Sequence, residues 1–402
     1  VNLPPVRQVL EEGVRDGVAP GAAAVVLAAG RTVHASAHGE AQVVPTRRRL
    51  APSERFDLAS LTKLHVASAA ARLLDRGRLE LDAPVARWLP AFVGPKHAIT
   101  LRHLLAHASG LPAWRPYHER VARDPVAAPA FLPPPRRPGA ERLAPAFRRG
   151  RELVEEALSA EPLEAAPGTA ARYSDLGFLA LGFALERIAG VPLDVLVETE
   201  VTAPLGLADT SFRPGVAPAP AMDRPGEAPA PRGGTAPSFA ATRAAPARGG
   251  AVLCGEVDDD NAWALGGVAG HAGLFSTARD VAAFGQAWLD ALAGRSRWLS
   301  PAAAERFVAR DPTPGSERAL GWDTPSRPVS AIGRWLGQGR RGAVGHLGFT
   351  GTSLWLDLDR ELSCALLTNH VHPGGGDRAR VQAFRARFHD AVAEGLGWTT
   401  AA

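Results

Sequence analysis

Segments that read as β-strands lie only towards the two ends of this chain, and this distribution constrains its fold more than any other feature. Ala22 to Ala28 and Thr32 to Ala37 are apolar runs meeting at Ala29-Gly30, a hairpin signal. Near the other end, Val344-Gly345-His346, Thr352 to Leu358 and Leu362 to Thr368 form a second set, with Asp359-Arg360 turning between the last two. From Leu81 to about Val252, strand-like alternation is nearly absent. Helical pieces such as Ile99 to His107 and Arg151 to Leu158 are separated there by Pro-rich loops. Unpaired strand edges leave backbone groups without partners, so the two ends are expected to share one antiparallel sheet.

Helical patterns border these strands. Val6 to Val18 is amphipathic, a segment rich in alanine and leucine runs from Ser60 to Asp75-Arg76 and stops at Gly77, Thr277 caps a helix from Ala278 to Leu292, and Arg378 to Glu394 closes the chain. The expected fold class is α/β (α+β). An antiparallel sheet flanked by helices comes from residues 1–80 and 253–402, and 81–252 is an inserted, mainly helical domain. Within the insert, Arg213 to Arg248 is loaded with Pro, Ala, Gly and Arg and reads as a long irregular surface excursion or flap.

A chain of 402 residues with 46% hydrophobic content can bury one large core or two moderate ones. Its net charge of +4 is spread along the sequence, which gives no support to nucleic-acid or membrane-surface binding. Cys254 and Cys364 lie far apart and outside zinc or C-x-x-C spacing. No apolar stretch reaches the roughly 18 residues of a transmembrane helix. The compartment stays open: periplasmic or secreted if a signal peptide was removed before Val1, cytoplasmic otherwise.

Of 45 basic residues only Lys63 and Lys96 are lysines, and Tyr117 and Tyr173 are the two tyrosines. A lysine can lose its proton in a desolvated site, whereas arginine stays charged, so each lysine here invites a reason. Ser60-Leu61-Thr62-Lys63 is S-x-x-K, and on a helix this spacing brings the hydroxyl and the amine to one face, at the end whose N–H groups favour an anion. Tyr173-Ser174-Asp175 stands at a second loop-to-helix junction, before the apolar segment Leu176 to Ile188. A phenol there can shuttle a proton if a neighbouring cation lowers its pKa from about 10. His346-Leu347-Gly348-Phe349 is the third element, a polar side chain on a strand followed by a glycine that permits close approach to the backbone. Taken singly, each also fits a structural role: an N-cap serine, a buried tyrosine, a strand histidine.

In identity, order and spacing, the three elements resemble the penicillin-recognising serine hydrolases. The closest branch contains class C β-lactamases, DD-carboxypeptidases of the same fold, D-amino-acid amidases and related esterases. Leu104-Leu105-Ala106-His107-Ala108-Ser109-Gly110-Leu111-Pro112, Pro167-Gly168 and the stretch from Leu265 to Thr277 also look like this branch, and the resemblance spans roughly Gly21 to Asn369. It implies a β-lactamase/transpeptidase-like fold and a hydrolase that needs no cofactor or metal. Ser60 would be the nucleophile, and Lys63 and Tyr173 the general base and acid. Asp175 would partner Lys63 and the substrate edge, His346 and Gly348 would help place the substrate, and the N–H groups of Ser60 and Phe349 would form the oxyanion hole.

Two positions depart from the β-lactamase pattern. Asp175 replaces Asn, and its charge should keep Lys63 protonated and shift the base role towards Tyr173. His346 replaces Lys and, mostly neutral near pH 7, is a weaker clamp for a β-lactam carboxylate. The expected substrate is therefore a small ester or amide, with esterase or D-amino-acyl peptidase activity ahead of β-lactam hydrolysis. A true β-lactamase, or an acylated penicillin-binding sensor without turnover, is the alternative. His103 and His107 have zinc-helix spacing but lack the intervening Glu, so a structural His107 is expected. Asp258-Asp259-Asp260-Asn261 reads as a solvated turn rather than a calcium loop, and Gly266-Gly267 and Gly270 as tight turns.

Overall fold

The computed structural model describes residues 2–132, 140–212, 238–326 and 330–399. Its strands are β1 (Gly21–Ala28), β2 (Arg31–Gln42), β3 (Arg48–Arg49), β4 (Phe56–Asp57), β5 (Ser211–Phe212), β6 (Ala244–Ala245), β7 (Ala251–Val252), β8 (Leu274–Ser276), β9 (Ala343–Leu347), β10 (Ser353–Asp357) and β11 (Leu362–Thr368). Six of them form an antiparallel sheet in the order β3-β2-β1-β11-β10-β9. The two ends of the chain meet at its centre, where Val25 pairs with Ala35 on one side and Ala365 on the other. Ala29 and Gly30 turn the first hairpin with φ of 46° and 76°, the left-handed pair that a two-residue loop requires. A small sheet, β4-β8-β5, and the β6-β7 hairpin are the other strands among the described residues; those described within 81–252 add none to the large sheet.

The central strands are apolar almost without interruption because both faces are covered. Ala22, Ala24 and Val26 of β1 and Leu362, Cys364 and Leu366 of β11 pack with Val6 and Leu10 of the helix Pro4–Arg15 and Phe384 and Phe388 of the helix Arg378–Gly395. Ala23, Ala365 and Leu367 face the opposite way, into the main core shared with the helix Ala278–Leu292. Gly285 lets that helix lie close: a Cβ there would stand 2.3 Å from Ser363 Oγ. The sheet is thus flanked by helices, as expected.

Beneath the sheet runs the helix Thr62–Asp75, buried over most of its circumference. Trp288 locks it in place: its indole N–H donates to Ser68 Oγ at 3.1 Å, and the ring meets Trp298 and Trp322 edge to face. The helix Asp175–Ala189 is likewise enclosed from Leu176 to Leu185. No single helix among the described residues is long and apolar enough to cross a membrane.

Three expectations need correction. Ser60 does not open the α-helix; it lies in a 3-10 turn, Ala59–Leu61, that leads into it. The excursion from Arg213 falls outside the described residues as far as 237, but its tail is no surface loop. Phe239, Ala240, Ala241 and Thr242 are buried, and Arg248 is fully enclosed against Asp260. The run from Asp258 to Asn261 is not a solvated turn either, since Asp258 and Asn261 are buried and hydrogen-bonded.

Trp288→Ala removes the largest side chain holding Thr62–Asp75 to its neighbours and should cost about 3–5 kcal/mol. A loss of unfolding free energy below about 1 kcal/mol, read from the denaturant midpoint at unchanged slope, would contradict the packing described.

Candidate active site

The turn that carries Ser60 is held from three directions. Ala59, at a φ of 46°, is a non-glycine residue in the left-handed region, a conformation that costs about 1 kcal/mol and persists where its surroundings enforce it. Its N–H donates to Asp57 Oδ1 at 2.8 Å, and Asp57 Oδ2 accepts from the Asp258 N–H at 2.6 Å. From the C-terminal half, Thr350 Oγ1 donates to the Asp57 carbonyl and Thr352 Oγ1 to the Leu58 carbonyl. Gly348 makes this approach possible: a Cβ on it would lie 1.9 Å from Thr352 Oγ1 and 2.6 Å from the Leu58 carbonyl oxygen. The close approach permitted by this glycine is made by the protein's own backbone.

Ser60, Lys63, Tyr173 and Asp175 converge. Lys63 Nζ donates to Ser60 Oγ at 2.9 Å and to the His271 carbonyl at 3.1 Å, and lies 2.7 Å from Asp175 Oδ1. Tyr173 OH donates to Ser60 Oγ at 2.7 Å. The tyrosine motif is fixed by its helix start, where Ser174 Oγ accepts from the Gly177 N–H, donates to the Pro112 carbonyl, and the Ser174 N–H donates to His107 Nδ1. His103 is occupied as well, its Nδ1 accepting from the Thr100 N–H in a helix cap. Neither imidazole follows the zinc-helix pattern.

Lys63 is completely buried, which works against its charge, yet the Asp175 carboxylate beside it more than compensates and holds the ammonium above the usual lysine range. Burial pushes the Tyr173 phenol up, against the pull of Lys63. The cation therefore does not lower the phenol as its spacing suggested; desolvation outweighs it, and at rest both groups carry their protons. Lys63 Nζ and the Arg318 guanidinium lie 4.9 Å and 5.0 Å from the centre of the Tyr173 ring. His107 and His346 lie tilted against the same ring, with centroids at 4.6 Å and 6.0 Å. Burial and the nearby cations keep both imidazoles neutral, well below their ordinary titration.

His346 Nδ1 lies 2.9 Å from the Leu347 carbonyl, an arrangement that puts the proton on Nδ1 and leaves Nε2 as a buried acceptor without a partner. Phe349 follows, exposed in an otherwise buried turn, its carbonyl tied to His370 Nε2 at 2.9 Å. Among the described residues no acceptor is hydrogen-bonded to the Ser60 or Phe349 backbone N–H. A cavity of about 200 Å³, lined by Glu317, Arg318, Asp323, Leu347, Trp355 and Gln382, adjoins this strand. Asp57, His107, Asp259 and His271 were not assigned to the site from sequence. For the last two, a signal existed: three consecutive acids flanked by Val257 and Ala262-Trp263, and a lone histidine in a glycine-rich loop.

A family model described as Beta-lactamase matches residues 6–387 of the chain. The N-acetylmuramyl-L-alanine amidase of Bacillus subtilis (strain 168) is 31% identical, over 92% of this chain and 81% of that protein. Two solved structures share the fold. EstCE1, a hydrolase with promiscuous acyltransferase activity, superposes with a TM-score of 0.68 at 23% identity, over 96% of this chain and 97% of its own. A penicillin-binding protein homolog from Caulobacter crescentus gives 0.67 at 21% identity, over 98% and 97%.

Because the chain has two lysines, carbon-13 labelling at lysine Cε should give two resonances. Lys63 should titrate above the usual lysine range and Lys96, whose ammonium is depressed by burial, below it. Asp175→Asn should lower the Lys63 midpoint and leave Lys96 unmoved; an unchanged Lys63 would show that the carboxylate is not what holds its proton.

Proposed function

The chain belongs to the Beta-lactamase family, and from that membership we propose that it is a serine hydrolase cleaving small amides or esters through an acyl-enzyme on Ser60. One observation carries the reading: the Ser60 hydroxyl lies between two proton-bearing groups, Lys63 Nζ at 2.9 Å and Tyr173 OH at 2.7 Å, and the Ser60 N–H has no hydrogen-bonded acceptor among the described residues. Attack on a carbonyl needs the serine proton removed, the developing oxyanion stabilised and the leaving atom protonated.

Since Tyr173 is protonated at rest, the proposed step is a relay. The phenol passes its proton to the leaving nitrogen or oxygen as it accepts the proton of Ser60, and the adjacent Lys63 charge stabilises the phenolate character developed on the way. The new bond joins Ser60 Oγ to the acyl carbon, and the bond from that carbon to the leaving atom breaks. Water reverses the relay in deacylation. The Ser60 and Phe349 N–H groups are the proposed oxyanion donors, with Asp175 and His346 Nε2 along the substrate edge.

Amides and esters stand ahead of β-lactams in this reading. A neutral His346 supplies no charge to hold a β-lactam carboxylate, and the relative from Bacillus subtilis is named as an amidase. Ser60→Ala should abolish turnover of a nitrophenyl ester, a D-Ala-D-Ala peptide and a chromogenic cephalosporin alike. A fluorophosphonate should add a single adduct to the intact mass of the wild type and none to the variant. Fast cephalosporin turnover with negligible ester and peptide cleavage would reverse the proposed substrate order, and activity retained by Ser60→Ala would refute the mechanism.

A further inference from the structure

Lys63 Nζ donates to Ser60 Oγ at 2.9 Å and to the His271 carbonyl at 3.1 Å, and it forms an ion pair with Asp175 Oδ1 at 2.7 Å. The carbonyl and the carboxylate together hold the nitrogen in place. With one N–H on the His271 carbonyl and the nitrogen drawn to Asp175, another N–H is directed at Ser60.

The His271 carbonyl is itself held in place. His271 Nε2 lies 2.9 Å from Asp259 Oδ1, which also accepts from the Ala262 N–H at 2.7 Å as the cap of the short helix Asp260–Ala264. Neighbours pin the acidic run that supplies Asp259: the Asp258 N–H donates to Asp57 under the Ser60 turn, Asp258 pairs with Arg243, and Asn261 bridges the Arg115 carbonyl and the His118 N–H. The depth of the loop is set by Gly270, where a Cβ would stand 1.9 Å from the Phe178 carbonyl oxygen on the helix that begins with Asp175. Asp259 and His271 therefore tie the acceptor for Lys63 to the elements that carry Ser60 and Asp175.

We propose that the Asp259–His271 pair is a positioning device for the acyl transfer, orienting the His271 carbonyl so that the Lys63 amine stays aimed at Ser60. The pair acts through Lys63 and touches no substrate. This inference rests on the acyl-enzyme reading above.

The test uses the full chain, a nitrophenyl ester, and fluorophosphonate labelling to count competent sites. His271→Ala, which keeps the carbonyl but frees it, should lower kcat per labelled site about tenfold to a hundredfold while KM stays unchanged, the signature of misaimed chemistry rather than lost binding. His271→Gln, whose amide can still donate to Asp259, should recover much of that loss. Asp259→Ala should match His271→Ala, and Asp259→Asn, able to cap Ala262 and accept from the imidazole, should stay near wild type. Because both residues act through one carbonyl, the double alanine variant should be no slower than either single one. Unaltered kcat per site in both alanine variants, or losses that multiply in the double variant, would overturn the proposal. If His271→Ala does not fold, the Asp259→Ala and Asp259→Asn pair decides on the same criteria. Ser60→Ala separates the two levels: turnover surviving there refutes the acyl-enzyme, whereas turnover lost there but intact in the alanine variants refutes only the positioning role.

Discussion

A fully buried ammonium is the constraint around which this molecule is organised. Leaving such a charge without partners would cost more than any one side-chain contact returns, so Lys63 is tolerable only where a carboxylate and oriented oxygens already wait for it. Asp175 supplies the carboxylate from the start of one helix, and His271 supplies a carbonyl from a glycine-rich loop. Each must be delivered to within hydrogen-bond reach. The packing of the helix Asp175–Ala189 against Gly270 and the capping of Ser174 and Asp259 follow from that demand.

The second feature, the Ser60 hydroxyl beside that buried charge, is set by strain and by closure of the sheet. Ala59 in the left-handed region turns Ser60 out of the regular helix, and the threonines after β9 clamp the preceding carbonyls. The Ser60 cluster arises where an N-terminal turn, a central helix and the turn after a C-terminal strand coincide. None of the three forms the site alone.

Much of this was legible in the sequence, because the signals concerned are local. Thr277 as a cap and the helix after it, the apolar runs at both ends, and the Ser60, Tyr173 and His346 motifs each announce themselves within a few residues. What escaped depends on contacts between distant segments. Asp57 meets the Asp258 backbone across 201 residues, and the two- and three-residue strands β5 and β8 are too short to show alternation. The acids from 258 onward look solvated by composition; their burial follows from Arg243, Arg248 and His271 arriving from elsewhere. The protonation of Tyr173 was misjudged for a related reason, since spacing reveals the neighbouring cation but not the depth of burial that opposes it.

The pairing of β1 with β11 has a consequence for how the protein comes into being. Chain emerging from a ribosome presents Ser60 and Lys63 early, whereas Thr350 and Thr352 stand 293 and 294 residues from the carbonyls they hold in the Ser60 turn. Contacts so remote in sequence form late and slowly. The turn that holds Ser60 therefore takes its final shape only once β11 and the threonines after β9 have joined the N-terminal strands.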